Sequence, residues 1–354
     1  MTAVITSTED APAEADPRAA RRSLYRRRAL GLLVIATCLV LAMLCSLAFG
    51  SKPLSFGEVW HGFWHPDEGE ASIIVWTMRL PRTVVGLVVG ASFGVAGALI
   101  QAITRNPLAD PGILGVNAGA GFMVTVAVGA LGGMTITGFI WFAFLGAAAA
   151  TVLVYLIGAA GRTAASPITL VLAGVALGAV LNGISTFLVL IDPDTFDTLR
   201  RWGVGSIART DLGETATVLP FLGVGLLIAI GISGSLNSIS LGDDLAASLG
   251  TDVGRTRVLG IVALSLLAGG GTALTGGIGF VGLVIPHVVR WFVGPDQRWI
   301  ITYSALAAPV LVLLADALGR VIGRPGEIEV GILTAVVGAP VLIALVRRRR
   351  ASGL

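Results

Sequence analysis

Few residues in this 354-residue chain could do chemistry, and their types favour pairing over bond-making. The one lysine, Lys52, stands in Gly50-Ser51-Lys52-Pro53. A phosphate-cradling loop requires G-x-x-x-x-G-K-[ST], so this chain is not a P-loop ATPase by itself. His287 has no second His, Cys or carboxylate at metal-ligand spacing, so it reads as a structural histidine and no metal site is assigned. Cys38 and Cys45 sit two helical turns apart, too far to bridge, and read as packing residues. Asp316 and Arg320 have the i, i+4 spacing of an ion pair. Proton- or sodium-driven carriers bury acidic or histidine relays near the bilayer midplane. The scarcity of such groups here argues that any transport draws its energy from a partner.

These groups are set in an apolar background. Hydrophobic residues make up 55% of the chain and charged residues only 13%, against about 25% charged in a soluble domain, and the mean hydropathy is +0.89. The composition is that of an all-α polytopic membrane protein. Apolar runs separated by Gly, Pro or charge clusters predict ten transmembrane helices, at about 29–49, 83–103, 112–132, 136–160, 167–191, 215–234, 258–276, 281–294, 300–318 and 329–347. The eighth is short and broken by Pro286. Residues 29–347 therefore form one membrane domain. It lies between a polar arm, residues 1–28, expected to be cytoplasmic and disordered, and a cytoplasmic tail, residues 348–354. The first apolar run is too long for the core of a signal peptide.

Direction follows the arginines. With the N-terminus inside and ten spans, both termini are cytoplasmic, and sixteen of the 24 Lys+Arg lie inside against eight outside. The bias supports that orientation, yet the eight outside, Arg79, Arg82 and Arg320 among them, need a reason. The net charge of +3 comes from loop and terminal arginines and suggests membrane topology more than nucleic-acid binding.

Several strings stand out from the apolar background. Arg79-Leu80-Pro81-Arg82 precedes the second span, and Arg105-Asn106-Pro107-Leu108-Ala109-Asp110-Pro111-Gly112 follows it. Asn106-Pro107 makes a turn, while Asp110 and Pro111 suit the N-cap and first position of the third span. Gly86, Gly90 and Gly94 form a small-xxx-small face for close packing. Leu241-Gly242-Asp243-Asp244-Leu245-Ala246-Ala247-Ser248-Leu249-Gly250 places Leu241, Leu245 and Leu249 on one stripe of a short helix. Asp243 and Asp244 favour its start and Gly250 its stop. Helices that lie on membranes tend to be basic, and this one is acidic. The glycines of Gly276-Gly277-Ile278-Gly279-Phe280-Val281-Gly282, with Pro286, His287 and Arg290 beyond, predict a broken, closely packed element.

The motifs around Arg105, Asn106, Pro107, Asp110 and Pro111, around Leu241–Gly250, and around Pro286, His287 and Arg290 resemble the permease subunits of type II ATP-binding-cassette importers for iron-siderophores, haem and cobalamin. The resemblance runs from about Leu30 to Val346. It implies a multi-pass protein of the bacterial cytoplasmic membrane that performs no bond chemistry and binds no cofactor, ATP and Mg being held by a partner. The implied partners are a second permease subunit, identical or paralogous, two cytosolic ATPases and an external substrate-binding protein, with lipid around the whole. Residues 240–250 correspond to the coupling helix that docks in the ATPase, and Arg255 and Arg257 are placed to pair with it. Arg79, Arg82 and Arg320 correspond to arginines that meet acidic residues of the binding protein, by the bidentate pairing guanidinium groups offer carboxylates. Asn182 and Ser185 are candidates to line the path. A ferric siderophore is the cargo the family favours, with haem and cobalamin as alternatives. The family usually has Pro where this chain has Glu329, which is expected to reach solvent or Arg324.

Overall fold

The protein is represented by a computed structural model that describes residues 17–66, 69–131, 136–159 and 167–351. Most of the N-terminal arm, the end of the tail and the loop containing Arg162 lie outside the described residues. Among those described, every regular element is helical.

The chain opens with α1 (Pro17–Ala48), whose membrane stretch is largely exposed at the rim of the bundle. Ser55 then starts α2 (Phe56–Trp64) through a capping box with Glu58. Next, α3 (Gly69–Ile73) passes through a π-helical turn, Ile74–Arg79, into α4 (Leu80–Thr104). The second span is therefore one helix of 36 residues, Gly69–Thr104, and starts well before the expected residue 83. A 3-10 turn, Pro111–Leu114, leads to α5 (Val116–Leu131), followed by α6 (Ile136–Ala159), α7 (Pro167–Ile191) and the short α8 (Pro193–Gly203). The chain then crosses in α9 (Leu212–Ile239), turns through α10 (Asp243–Ser248), and returns in α11 (Val253–Leu264). A second π-helical turn, Ser265–Gly269, joins α11 to α12 (Gly270–Thr275). The last three are α13 (Val281–Val293), α14 (Gln297–Ile322) and α15 (Val330–Ala351). Seven of the described helices are long and apolar enough to cross a membrane, and three shorter apolar ones, Val116–Leu131, Val281–Val293 and Val330–Ala344, fill the remaining expected places.

The core is built around α4. Every residue from Ser92 to Thr104 is buried, because α14, α13, α9 and α11 surround the helix. A helix apolar on all sides has no solvent face to offer and goes to the middle. Small residues set how near its neighbours come. A Cβ on Gly90 would lie 2.6 Å from the Pro309 backbone of α14, and one on Gly97 would lie 1.9 Å from the Gly282 carbonyl oxygen of α13. Dispersion between close backbones replaces the hydrophobic drive that lipid removes.

The expected break near Pro286 lies elsewhere. Pro286 sits inside a continuous α13. The chain is interrupted just before it, over residues 276–280, where Gly276 (φ 73°) and Phe280 (φ 67°) are left-handed. Gly276 is held against the Trp202 carbonyl, 1.9 Å from where a Cβ would stand, so only glycine fits. The exposed backbone groups are satisfied internally. Ser206 N–H donates to the Thr275 carbonyl at 2.8 Å, and the Thr210 hydroxyl to that of Leu274. Irregular backbone at this depth is tolerated only when protein covers it.

Gly97→Leu is expected to cost about 3 kcal/mol or more by overpacking the α4–α13 crossing. Gly223→Ala, where nothing stands within 4 Å, is expected to be neutral or better. Thermal unfolding of the purified protein in detergent checks both.

Candidate functional site

Because α4 spans from Leu80 to Thr104, the Arg79–Arg82 motif and the Arg105–Pro111 motif lie at its opposite ends, about 37 Å apart at 1.5 Å per residue. At the first end the structure brings Arg79, Arg82 and Arg320 around one pocket of about 300 Å³ that Lys52, Glu70 and Glu327 also line. The three arginines are not equivalent there. Arg79 is 3% exposed and donates to the carbonyls of Leu47 and Ala48 at 2.7 Å and of Lys52 at 2.8 Å. It satisfies the last carbonyls of α1, which have no helical partner of their own. Arg320, 2% exposed, pairs with Asp316 at 2.8 Å and donates to the Ser46 carbonyl at 3.1 Å. Only Arg82 reaches outward, paired with Glu327 at 2.6 Å. The three arginines expected to meet a partner thus line one pocket, but Arg79 and Arg320 spend their donors inside the bundle.

Glu327 also accepts from the Ser51 hydroxyl at 3.1 Å. Burial alone raises its carboxyl, but the Arg82 hydrogen bond and charge outweigh that and hold it below the ordinary carboxylate range. The pair's stabilisation is present above the unfolded carboxylate value and is lost as pH falls through the lowered one. Glu329 pairs with Arg209 at 2.8 Å, not with Arg324, which instead donates to the Gly50 carbonyl at 2.6 Å.

One turn before the far end of α4, Gln101 joins three elements. Pro286 has no N–H, so the Gly282 carbonyl one turn earlier loses its helical donor. The Gln101 amide, 2% exposed, supplies it from α4 at 3.3 Å, and also donates to Leu283 at 3.0 Å and Ala109 at 3.4 Å. Sequence reasoning missed this residue. The available signal was a glutamine inside an otherwise apolar run, with a proline in the partner helix. His287 stacks edge-on with Trp291 at 5.4 Å, and Arg290 lies one turn after Pro286 on α13. Among the described residues no group of three His, Cys, Asp or Glu side chains could hold a metal.

At the far end of α4, Arg105 is left-handed (φ 50°) and Asn106 N–H bonds back to the Gln101 carbonyl at 3.2 Å, closing the helix. The Asn106 side chain accepts from Leu108 N–H at 3.0 Å, making the expected turn over Pro107. Asp110 caps through Gly112 N–H at 2.8 Å. Burial pushes its carboxyl upward, against the pull of that N–H. What Asp110 and Pro111 open is the 3-10 turn rather than the membrane helix, which begins after Gly115.

The Leu241–Gly250 segment lies beside this loop. Its helix α10 is stopped by left-handed Gly250 (φ 82°), with Gly250 N–H to Ala247 at 2.9 Å and Thr251 N–H to Ala246 at 2.9 Å. That is a Schellman stop. Ala246 is fully buried, whereas Leu241, Leu245 and Leu249 are 60%, 49% and 61% exposed. Asp243 is gripped from two sides, by Arg257, whose Nη2 reaches both carboxylate oxygens at 3.0 and 2.9 Å, and by Arg105 at 3.5 Å. Arg257, expected to face a partner, is therefore turned inward, while Arg255 and Asp244 stay exposed. The clamp ties α10 to the motif at the end of α4. Asn182 lies exposed on α7 and Ser185 half-buried beside it.

Gln101→Leu is expected to cost about 2 kcal/mol by stranding buried carbonyls. In a Pro286→Ala background the same change should cost measurably less, since residue 286 then supplies an N–H to Gly282; unfolding of the two single variants and the double variant gives the coupling.

Comparison with known proteins bears on this geometry. The sequence profile of the FecCD transport family matches residues 38–348. The ferric enterobactin transport system permease protein FepD of Escherichia coli (strain K12) is 43% identical, over 92% of this chain and 97% of that protein. The Fe(3+)-citrate import system permease protein YfmD of Bacillus subtilis (strain 168) is 37% identical, over 93% of this chain and 98% of that protein. A solved structure described as an inward-facing conformation of a candidate metal-chelate type ABC transporter superposes with a TM-score of 0.79 at 28% identity, covering 90% of this chain and 98% of that one. With its fold, its motifs and nearly its whole length matched, the chain belongs to the FecCD transport family.

Proposed function

We propose that this protein is the membrane-spanning permease of an ATP-binding-cassette importer that moves a ferric siderophore into the cytoplasm. The observation that carries the reading is α10. The six-residue helix and its two flanks carry three exposed leucines, Leu245 within it and Leu241 and Leu249 beside it, on a base fixed by a Schellman stop and by the Arg105–Asp243–Arg257 clamp. Exposed apolar side chains on a rigid, acidic, water-facing element call for a protein partner. The partner is a cytosolic ATPase that holds ATP and Mg, two copies serving two permease chains. Its movement reaches Arg105 through Asp243, and from there passes along α4 and Gln101 to α13. This chain makes and breaks no covalent bond itself.

At the other end an external binding protein docks over the pocket lined by Arg79, Arg82 and Arg320. An incoming carboxylate takes Arg82 from Glu327, while Arg79 and Arg320 keep the field positive and the pocket in shape. The second permease chain, identical or paralogous, lies against α7. An exposed Asn182 two-thirds of the way along an apolar helix is costly against lipid, and a subunit interface or a wet path removes that cost. Both termini are then cytoplasmic, in the cytoplasmic membrane. The ferric siderophore is favoured by the likeness to the enterobactin and citrate permeases.

Cells with and without the gene, fed radiolabelled iron on several siderophores and, separately, cobalamin, test the whole reading. Loss of uptake for one ferric siderophore is expected; loss for cobalamin alone would change the cargo but not the mechanism. Leu245→Asp should abolish uptake and co-purification of the ATPase with permease abundance unchanged. Arg82→Glu should weaken docking of the binding protein by about tenfold or more; unaltered docking would refute the role of that pocket.

A further inference from the structure

We propose that a groove between α1, α13 and α14 is a site for one anionic phospholipid, its phosphate on Arg27 and one acyl chain along the groove. The groove has a volume of about 350 Å³. Its α1 wall is Arg27, Gly31, Val34 and Cys38, which fall on one face of that helix. Val288 and Phe292 of α13 and Ala307 of α14 are among the residues of the facing apolar wall. From Arg27 to Cys38 the helix rises about 16 Å, close to half of the roughly 30 Å hydrocarbon core. The groove therefore has the length of one leaflet's acyl chain, with a cation at the headgroup level.

Two adjacent arginines meet different fates there, and the difference defines the site. Arg28 turns inward: it donates to the Val293 carbonyl at 2.9 Å, pairs with Asp296 at 3.6 Å and lies 5.1 Å over the Trp299 ring. The Tyr303 hydroxyl locks this arrangement by donating to the Arg28 carbonyl. Arg27 stays exposed at the groove mouth, and no acidic side chain among the described residues pairs with it. The nearby carboxylate, Asp296, is already committed to Arg28 and to Asn237 at 2.9 Å. Gly31 lets the Tyr303 ring close the floor of the groove, since a Cβ there would stand 2.6 Å from the Tyr303 hydroxyl oxygen. Trp291, 56% exposed on α13, flanks Phe292 where indole rings favour the membrane–water boundary. A guanidinium with no acidic partner among the described residues, above an apolar slot of leaflet length, fits a phosphate with a fatty chain, and excess negative charge on the headgroup strengthens it. The orientation under the proposed function puts Arg27 in the cytoplasmic leaflet; lipid binding itself does not depend on transport.

Native mass spectrometry of the full-length protein, titrated with dioleoyl phosphatidylglycerol and with dioleoyl phosphatidylcholine, tests the site. One phosphatidylglycerol is expected to bind about fivefold tighter than phosphatidylcholine, the factor one interfacial arginine supplies. Arg27→Ala should bring the two lipids level, and Val34→Trp, which fills the groove without touching charge, should weaken both. Arg26→Ala, on another face of the same helix, should change neither by more than about twofold. Equal affinity for the two lipids, full binding by Val34→Trp, or equal losses from Arg26→Ala and Arg27→Ala would overturn the proposal. Helical content and thermal unfolding of each variant establish that it is folded.

Discussion

A backbone carbonyl or N–H left unpaired in hydrocarbon costs several kcal/mol, and much of this structure answers that one constraint. Within a regular helix the answer is automatic. It fails at helix ends, at prolines and at breaks, and there buried side chains take over. Arg79 closes the end of α1, Gln101 replaces the donor that Pro286 lacks, and Thr210 meets a carbonyl beside the 276–280 break. Several of the polar residues buried in this bundle are thus tied to a named backbone defect, while hydroxyls such as those of Thr83, Ser92 and Thr104 bond back to the carbonyl one turn earlier in their own helix.

The same residues connect the ends of the molecule. Helix α4 carries Arg79 and Arg82 at one terminus, Gln101 near the other and Arg105 just beyond it. Gln101 reaches α13 and the 105–111 loop, and Arg105 reaches Asp243 of α10. The exposed leucines on and beside α10 are thus tied to α4 and α13 through ion pairs and amide hydrogen bonds as well as through soft packing. Interactions of that kind have narrow geometry, which suits an element with two discrete positions better than one that deforms gradually.

Charge at the arginine end shows why counting charges says little. Arg79, Arg82, Arg209, Arg320 and Arg324 all lie there, yet four of them are engaged by carbonyls or carboxylates at 3.1 Å or less even without Arg82, and only Arg82 combines a displaceable carboxylate with a place on the pocket rim. Their concentration at this end of the bundle follows from work inside the fold, where they satisfy carbonyls and carboxylates.

Hydropathy located the ten apolar segments, because burial in lipid is written residue by residue in composition. Local stereochemistry was also legible: the Asn106 turn, the Asp110 cap and the Gly250 stop depend on neighbours in the chain. So was the Asp316–Arg320 pair, one turn apart on one helix. The sequence could not say which carboxylate each arginine meets. Glu329 chose Arg209, 120 positions away, over nearby Arg324, and Arg257 turned back to Asp243 instead of outward. The sequence marked Gln101 only as a polar residue in an apolar run; the purpose of that amide exists only once Pro286 of another helix lies beside it. Sequence determines what a residue can do with its neighbours along the chain. Which distant groups come within 3 Å is decided by helix packing, and here that packing is set by where Gly90 and Gly97 let backbones touch.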